Sequence, residues 1–143
     1  MKSFIDKLPI DIVMKIISYT YNFQNKELLD DVKNYTRIKK ELFSLYYNFW
    51  IIEWDEAIFS DSEWLINDIQ GYVNNFEATM YGYVTKHYNI FKRFISLKTN
   101  NDVDKYTKYL DNQPILTQIN IYLALLTPME RNEIILHALE YMK

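Results

Sequence analysis

The sequence contains no cysteine. That excludes a disulfide framework, a thiolate zinc site and a cysteine nucleophile, and it fits a reducing compartment. Glycine occurs only twice and proline three times. A β-sandwich or a doubly wound α/β fold needs many more turn residues, so the scarcity favours long helices with short joins. No stretch approaches ~18 uninterrupted apolar residues, so no membrane-spanning helix is expected. The opening "MKSFIDKLP" has no apolar run ahead of its Asp and Pro and does not read as a signal peptide. Neither GxGxxG nor GxxxxGK followed by Ser or Thr occurs. A net charge of -3 gives no general reason to expect nucleic acid.

What is present is a globular composition, 49% apolar and 24% charged over 143 residues. The length suits one domain, residues 1–143, large enough to bury a core. The expected fold is all-α: a single compact bundle of seven or eight helices.

The first helix is read from Pro9 to about Tyr19, since proline at the first helical position gives up only an orphan amide. At 100° per residue, Ile10, Val13, Met14 and Ile17 fall on one side. Ile12, Ile16 and Tyr19 continue the apolar arc, leaving Asp11, Lys15 and Ser18 as a polar stripe. The arc is roughly 220° wide, about twice what a helix lying on one core needs. A short second helix, "KELLDDVKNY", turns Leu28, Leu29 and Val32 inward. A third, from Thr36 to about Phe59, carries the seam Ile38, Leu42, Leu45, Phe49 and Ile52. Its second stripe is Phe43, Tyr47, Trp50 and Trp54, so it is expected at the centre of the bundle.

"SDSE", residues 60 to 63, is a capping box opening a helix through "WLINDIQGYVNNF". "ATMYGYVTKHYNIFKRFISL" reads as one helix with Met80, Val84, His87, Phe91 and Phe94 inward. "DVDKYTKYL" is a short helix, and "ILTQINIYLALL" a mostly buried one. "TPME", residues 127 to 130, places Thr, Pro and Glu at the N-cap, N1 and N3 of the last helix. The core face of that helix is Ile134, Ile135, Ala138, Leu139 and Met142. Gly71 and Gly82 sit within helical patterns, where each permits close approach of a neighbour.

Candidate chemistry is sparse. His87 lies on an apolar helix face and reads as a satisfied core histidine. His137 follows Glu133 by four residues and reads as a surface pair, half a metal site at most. Glu53 and Glu56 can share a helix face, where two close carboxylates could serve as acid and base. The plainer reading is a solvated helix end. No nucleophile with a base and no cofactor motif emerges, so the chain is read as a non-enzyme without cofactor or metal. Residues 1–70 carry 8 basic and 12 acidic groups, and residues 71–143 carry 8 and 7. A basic strip with interleaved aromatics, including Lys86, Lys92 and Arg93, is the pattern of an RNA contact. Its aromatics fall on the core side of the helical wheel, which makes nucleic acid an unfavoured partner.

"LPIDIVMKIISYT", followed by "LLDDVKNYTRIKKELFSLYYNFW", resembles an F-box. The resemblance implies a three-helix N-terminal segment, residues 1–50, packed on a helical region, 60–143. It implies docking on the adaptor subunit of a host cullin–RING ubiquitin ligase. Leu8 and Pro9 at the corner, with Ile12, Ile16 and Tyr19 on the outer side of the first helix, would make that contact. Stretches such as "LYYNFWIIEWDE", "WLINDI", "ATMYGYVTKHYNIF" and "QINIYLALLTPMERNE" resemble short proteins of large nucleocytoplasmic DNA viruses. The abundance of Ile, Asn, Lys, Tyr and Phe, residues with AT-rich codons, agrees. The expected function is a non-enzymatic viral protein-interaction module in the host cell cytoplasm. The alternatives are a self-associating virion or scaffold component, and an RNA-binding accessory protein using residues 86–108.

Overall fold

The computed structural model describes residues 8–20, 25–55 and 59–142, with side chains throughout except at 16–20. The protein is all-α: α1 (Ile10–Thr20), α2 (Lys26–Tyr46), α3 (Asp61–Val73), α4 (Thr85–Phe91), α5 (Asn100–Leu110), α6 (Ile115–Leu125) and α7 (Pro128–Tyr141). A π-helical turn, Tyr47–Glu53, continues α2, and a 3₁₀ turn spans Thr79–Tyr81. Among the described residues there is no strand. The chain divides into two compact units, Met1–Val32 and Lys33–Lys143.

In the first unit, α1 starts where the Pro9 carbonyl accepts from the Ile12 and Val13 amides. Leu28, Leu29 and Val32, expected to face inward, are exposed. The second predicted helix and the first half of the third are one helix, α2, so the described residues of the N-terminal stretch hold two α-helices rather than three. The reason is local: "NYT", residues 34 to 36, contains weak helix formers but neither glycine nor proline, and nothing there stops the helix.

In the second unit the core forms around α3 and α6, which pack along each other. Leu65, Ile69 and Val73 of α3 and Ile119 and Leu123 of α6 are fully buried, with Ile38 and Leu42 of α2 in the same cluster. Each such side chain contributes roughly 1.5–3 kcal/mol by leaving water. The hub is therefore α3 with α6, not the Thr36–Phe59 segment. The expected seam of that segment holds through Ile38 and Leu42, then shifts to Tyr46. Tyr46 keeps the i+4 spacing from Leu42; beyond it the π turn takes the chain off the predicted seam, because an i→i+5 turn advances each side chain through a smaller angle than an α-helix does. Ile52, on the predicted seam, is left 63% exposed, while Trp50 stacks on Trp64 of α3 at 4.2 Å.

Three capping boxes start helices: Ser60 with Glu63, Thr99 with Asp102, and Thr127 with Glu130. The first and third match the sequence reading. The second is the same device with a shorter acid, and it starts α5 two residues before "DVDKYTKYL".

The predicted helix over 78–97 is broken. Gly82 takes a φ of +99°, outside the helical region and accessible to glycine at little cost. Met80 therefore falls out of phase and is 81% exposed. After Phe91 the chain tightens into i→i−3 bonds, Arg93 N–H to Ile90 O and Phe94 N–H to Phe91 O. Phe94 is thereby left exposed, and Leu97 is buried in its place. Gly71 does permit close approach: a Cβ there would lie 3.0 Å from Cδ1 of Phe76. On α7, Ile134 and Ala138 are buried as expected, whereas Leu139 is exposed.

Candidate functional site

The expected docking helix, α1, presents apolar side chains to solvent. Ile10 is 74%, Ile12 41% and Met14 61% exposed, while Val13 is half-buried. Leu8 is half-buried and Pro9 exposed. The side chains of Ile16, Ile17 and Tyr19 lie outside the described residues. Three exposed apolar side chains on little more than one helical turn are unusual for a surface without a use.

A second surface lies entirely in the 33–143 unit. Arg93, Phe94, Ile95 and Ser96, in the tight turn after α4, face Asn120, Ile121, Ala124 and Leu125 of α6 across a groove of about 670 Å³. Its rim is fixed by Arg93, whose guanidinium donates to both Glu130 oxygens, at 2.6 and 2.8 Å, and to the Leu125 carbonyl at 2.9 Å. That hydrogen-bonded pairing with Arg93 holds the Glu130 carboxyl down at about 2. Asn120 is held in turn by the Tyr35 hydroxyl, which donates to its Oδ1 at 3.2 Å. The groove offers apolar surface and positioned polar edges, and its lining contains no carboxylate, histidine or lysine to serve the Ser96 hydroxyl as a base. Sequence periodicity could not have assembled it, because its walls come from segments about 25 residues apart.

A third feature is a small polar cavity of about 150 Å³ lined by Gln70, Asn74, Thr79, Tyr83, His87, Asp111 and Tyr122. His87 is buried, with Nε2 3.3 Å from Thr107 Oγ1 and its ring stacked on Tyr83 at 3.9 Å. Burial pushes its pKa down to about 4. It is neutral near pH 7 and hydrogen-bonded, which is the core histidine the helix face implied. Asn74 is also buried; its Oδ1 accepts from the Val84 amide at 2.9 Å, and its Nδ2 donates to the Glu77 carbonyl at 2.8 Å. It pins both ends of the 77–84 loop.

Two members of the basic strip are engaged within the chain. Lys86 Nζ donates to the Tyr72 carbonyl at 2.7 Å and lies 3.5 Å over the Tyr72 ring. Arg93, though exposed, is held by Glu130, and Lys92 is exposed as well. His137 stacks on Phe76 at 4.7 Å, and Glu133 accepts from the Tyr72 hydroxyl, so each has a partner other than the expected i,i+4 neighbour. Glu56 lies outside the described residues. Among those described, no group of three or more His, Asp or Glu is placed to hold a metal ion. No described helix is long and apolar enough to cross a membrane.

Comparison with family models, with characterised proteins and with solved structures finds no match. The functional reading therefore rests on the chain's own geometry.

Proposed function

We propose that this protein is a non-enzymatic protein-interaction module whose α1 docks on a protein partner. The observation that carries the reading is the exposure of Ile10, Ile12 and Met14 on one short helix. Apolar anchors at helical spacing are how an amphipathic helix enters a partner's groove. With Leu8–Pro9 ahead of it, the helix has the form that suggested an F-box, and the partner it fits is a host ubiquitin-ligase adaptor in the cytoplasm. The viral setting rests on the sequence resemblance alone. A test is the mass of the purified protein in solution, alone and with that adaptor. A one-to-one complex abolished by Ile12→Ser with Met14→Ser supports the reading; no complex sinks it.

A second reading, self-association, is favoured by the apolar groove between Arg93–Ser96 and Asn120–Leu125. A chain carrying both an apolar helix and an apolar groove can pair with copies of itself, as a virion or scaffold component would. A concentration-dependent homo-oligomer that ignores the adaptor and is lost in Ile121→Lys selects this reading over the first.

A further inference from the structure

The 45 residues from Glu41 to Thr85 contain eight carboxylates and no lysine, arginine or histidine. This is a sharp segregation in a chain with 16 basic groups. The segment holds the π turn, a form of helix frequent at functional sites. Around it six aromatic rings form a continuous cluster. Phe49 touches Trp50, Trp54 and Tyr141 at centroid distances of 5.0, 5.9 and 6.5 Å; Trp50 stacks on Trp64, and Phe59 meets Trp64 at 5.7 Å.

The inner rings, Phe49, Trp50 and Trp64, are half-buried and the outer ones are exposed. Trp54 is 66% exposed, and Phe59, Tyr141 and neighbouring Ile52 are also open to water. Glu53 and Asp55 flank Trp54, Asp61 and Glu63 follow Phe59, and Glu140 precedes Tyr141. The α2–π-turn helix ends here with no basic residue in its last turn, so its partial negative charge adds to the carboxylates. Beside Phe59 opens a cavity of about 370 Å³, lined in part by Glu63, Asn67, Gln70, Asp111 and Gln118. Among the described residues no side chain donates a hydrogen bond to the Asp111 carboxylate, and burial raises its pKa.

We infer that this face binds a basic peptide segment of a partner protein, with apolar side chains laid across Trp54 and Phe59 and an arginine entering the cavity between Phe59, Glu63 and Asp111. Charge complementarity selects the occupant. Every flanking charge named is negative, exposed aromatic faces attract cations, and a guanidinium pairs with carboxylates through two parallel bonds. Tryptophan and tyrosine at the centre of such a surface are the residues that most often carry binding energy. The surface shares no residue with α1 or with the 93–125 groove, so it stands or falls independently of the function proposed above.

The test is a fluorescence anisotropy titration at near-physiological salt with a labelled peptide of alternating arginine and leucine. Its glutamate–leucine counterpart serves as control. The expected result is binding of the arginine peptide alone, weakened about tenfold or more by Trp54→Ala and by Glu63→Gln with Asp111→Asn. A variant removing two charges elsewhere, Glu27→Gln with Asp30→Asn, keeps full binding. These side chains are at or near the surface, and a melting curve for each variant confirms that it folds. Failure of the arginine peptide to bind, equal binding of the glutamate peptide, or equal weakening by both pairs of charge substitutions overturns the inference.

Discussion

Arg93 and Glu130, 37 positions apart, form a two-pronged ion pair at 2.6 and 2.8 Å, and the same carboxylate also accepts the Thr127 amide at 2.8 Å. One side chain thus caps α7 and anchors the groove rim. Arg93→Met removes only the rim contact, and about 1 kcal/mol is expected because the guanidinium is partly exposed and screened. Glu130→Ala removes the cap as well and should cost about 2 kcal/mol. Urea denaturation of both variants checks the order. A larger loss for Arg93→Met would contradict the double role. The Glu130 carboxyl is held low, at about 2, so its contribution is full above the unfolded value near pH 4.5 and fades as pH falls toward 2.

His87 adds a separate acid sensitivity. Its folded pKa is depressed to about 4 from an ordinary 6.5. The unfolded chain therefore binds the proton first, and stability falls as pH drops from 6.5 through 4. A shift of this size corresponds to at most about 3 kcal/mol. Melting temperatures measured between pH 7 and pH 4 should decline for the native protein. The slope should flatten in His87→Leu, even though that variant starts less stable. Parallel curves would show that another group carries the effect.

Two positions on α6 separate core from surface. Ile119 is fully buried and Leu116 is exposed, three residues apart. Ile119→Ala should cost about 2–5 kcal/mol through lost transfer energy and a cavity. Leu116→Ala should stay within about 0.5 kcal/mol. Chemical denaturation decides, and similar losses at both sites would disprove the α3–α6 hub.

Asn74 holds two backbone groups of the loop that follows α3. Asn74→Leu should cost about 1–3 kcal/mol by leaving buried polar groups unpaired. Hydrogen exchange at the Val84 amide should accelerate sharply, while exchange in α6 should change only with global stability. Unchanged protection at Val84 would show that the bond is dispensable.

Ser60–Glu63 and Thr127–Glu130 were legible in the sequence because a cap depends on four consecutive residues and little else. The all-α class followed from the same local physics, the scarcity of turn residues. The interruption at Gly82 was not legible, because glycine inside a helical pattern is tolerated and only the surrounding packing selects its positive φ. The groove rim was hidden for a different reason. Arg93 and Lys86 were read as members of a basic strip, whereas their long side chains reach back to Glu130 and to the Tyr72 carbonyl. The aromatic cluster was half visible: the helical wheel placed Trp50 and Trp54 on one stripe, and the π turn parted them.

That turn also constrains how the chain can vary. Upstream of Tyr47 α2 keeps ordinary α spacing, so the π turn over Tyr47–Glu53 works as a phase shifter. A one-residue deletion at Tyr47 or Asn48 would rewind the helix and swing Trp50 out of register, parting it from Trp64 without touching either. Substitution can alter what this face presents, but the number of residues in the turn sets where it points. Across variants of this fold, the length of the segment should therefore be held more tightly than the identity of its exposed side chains.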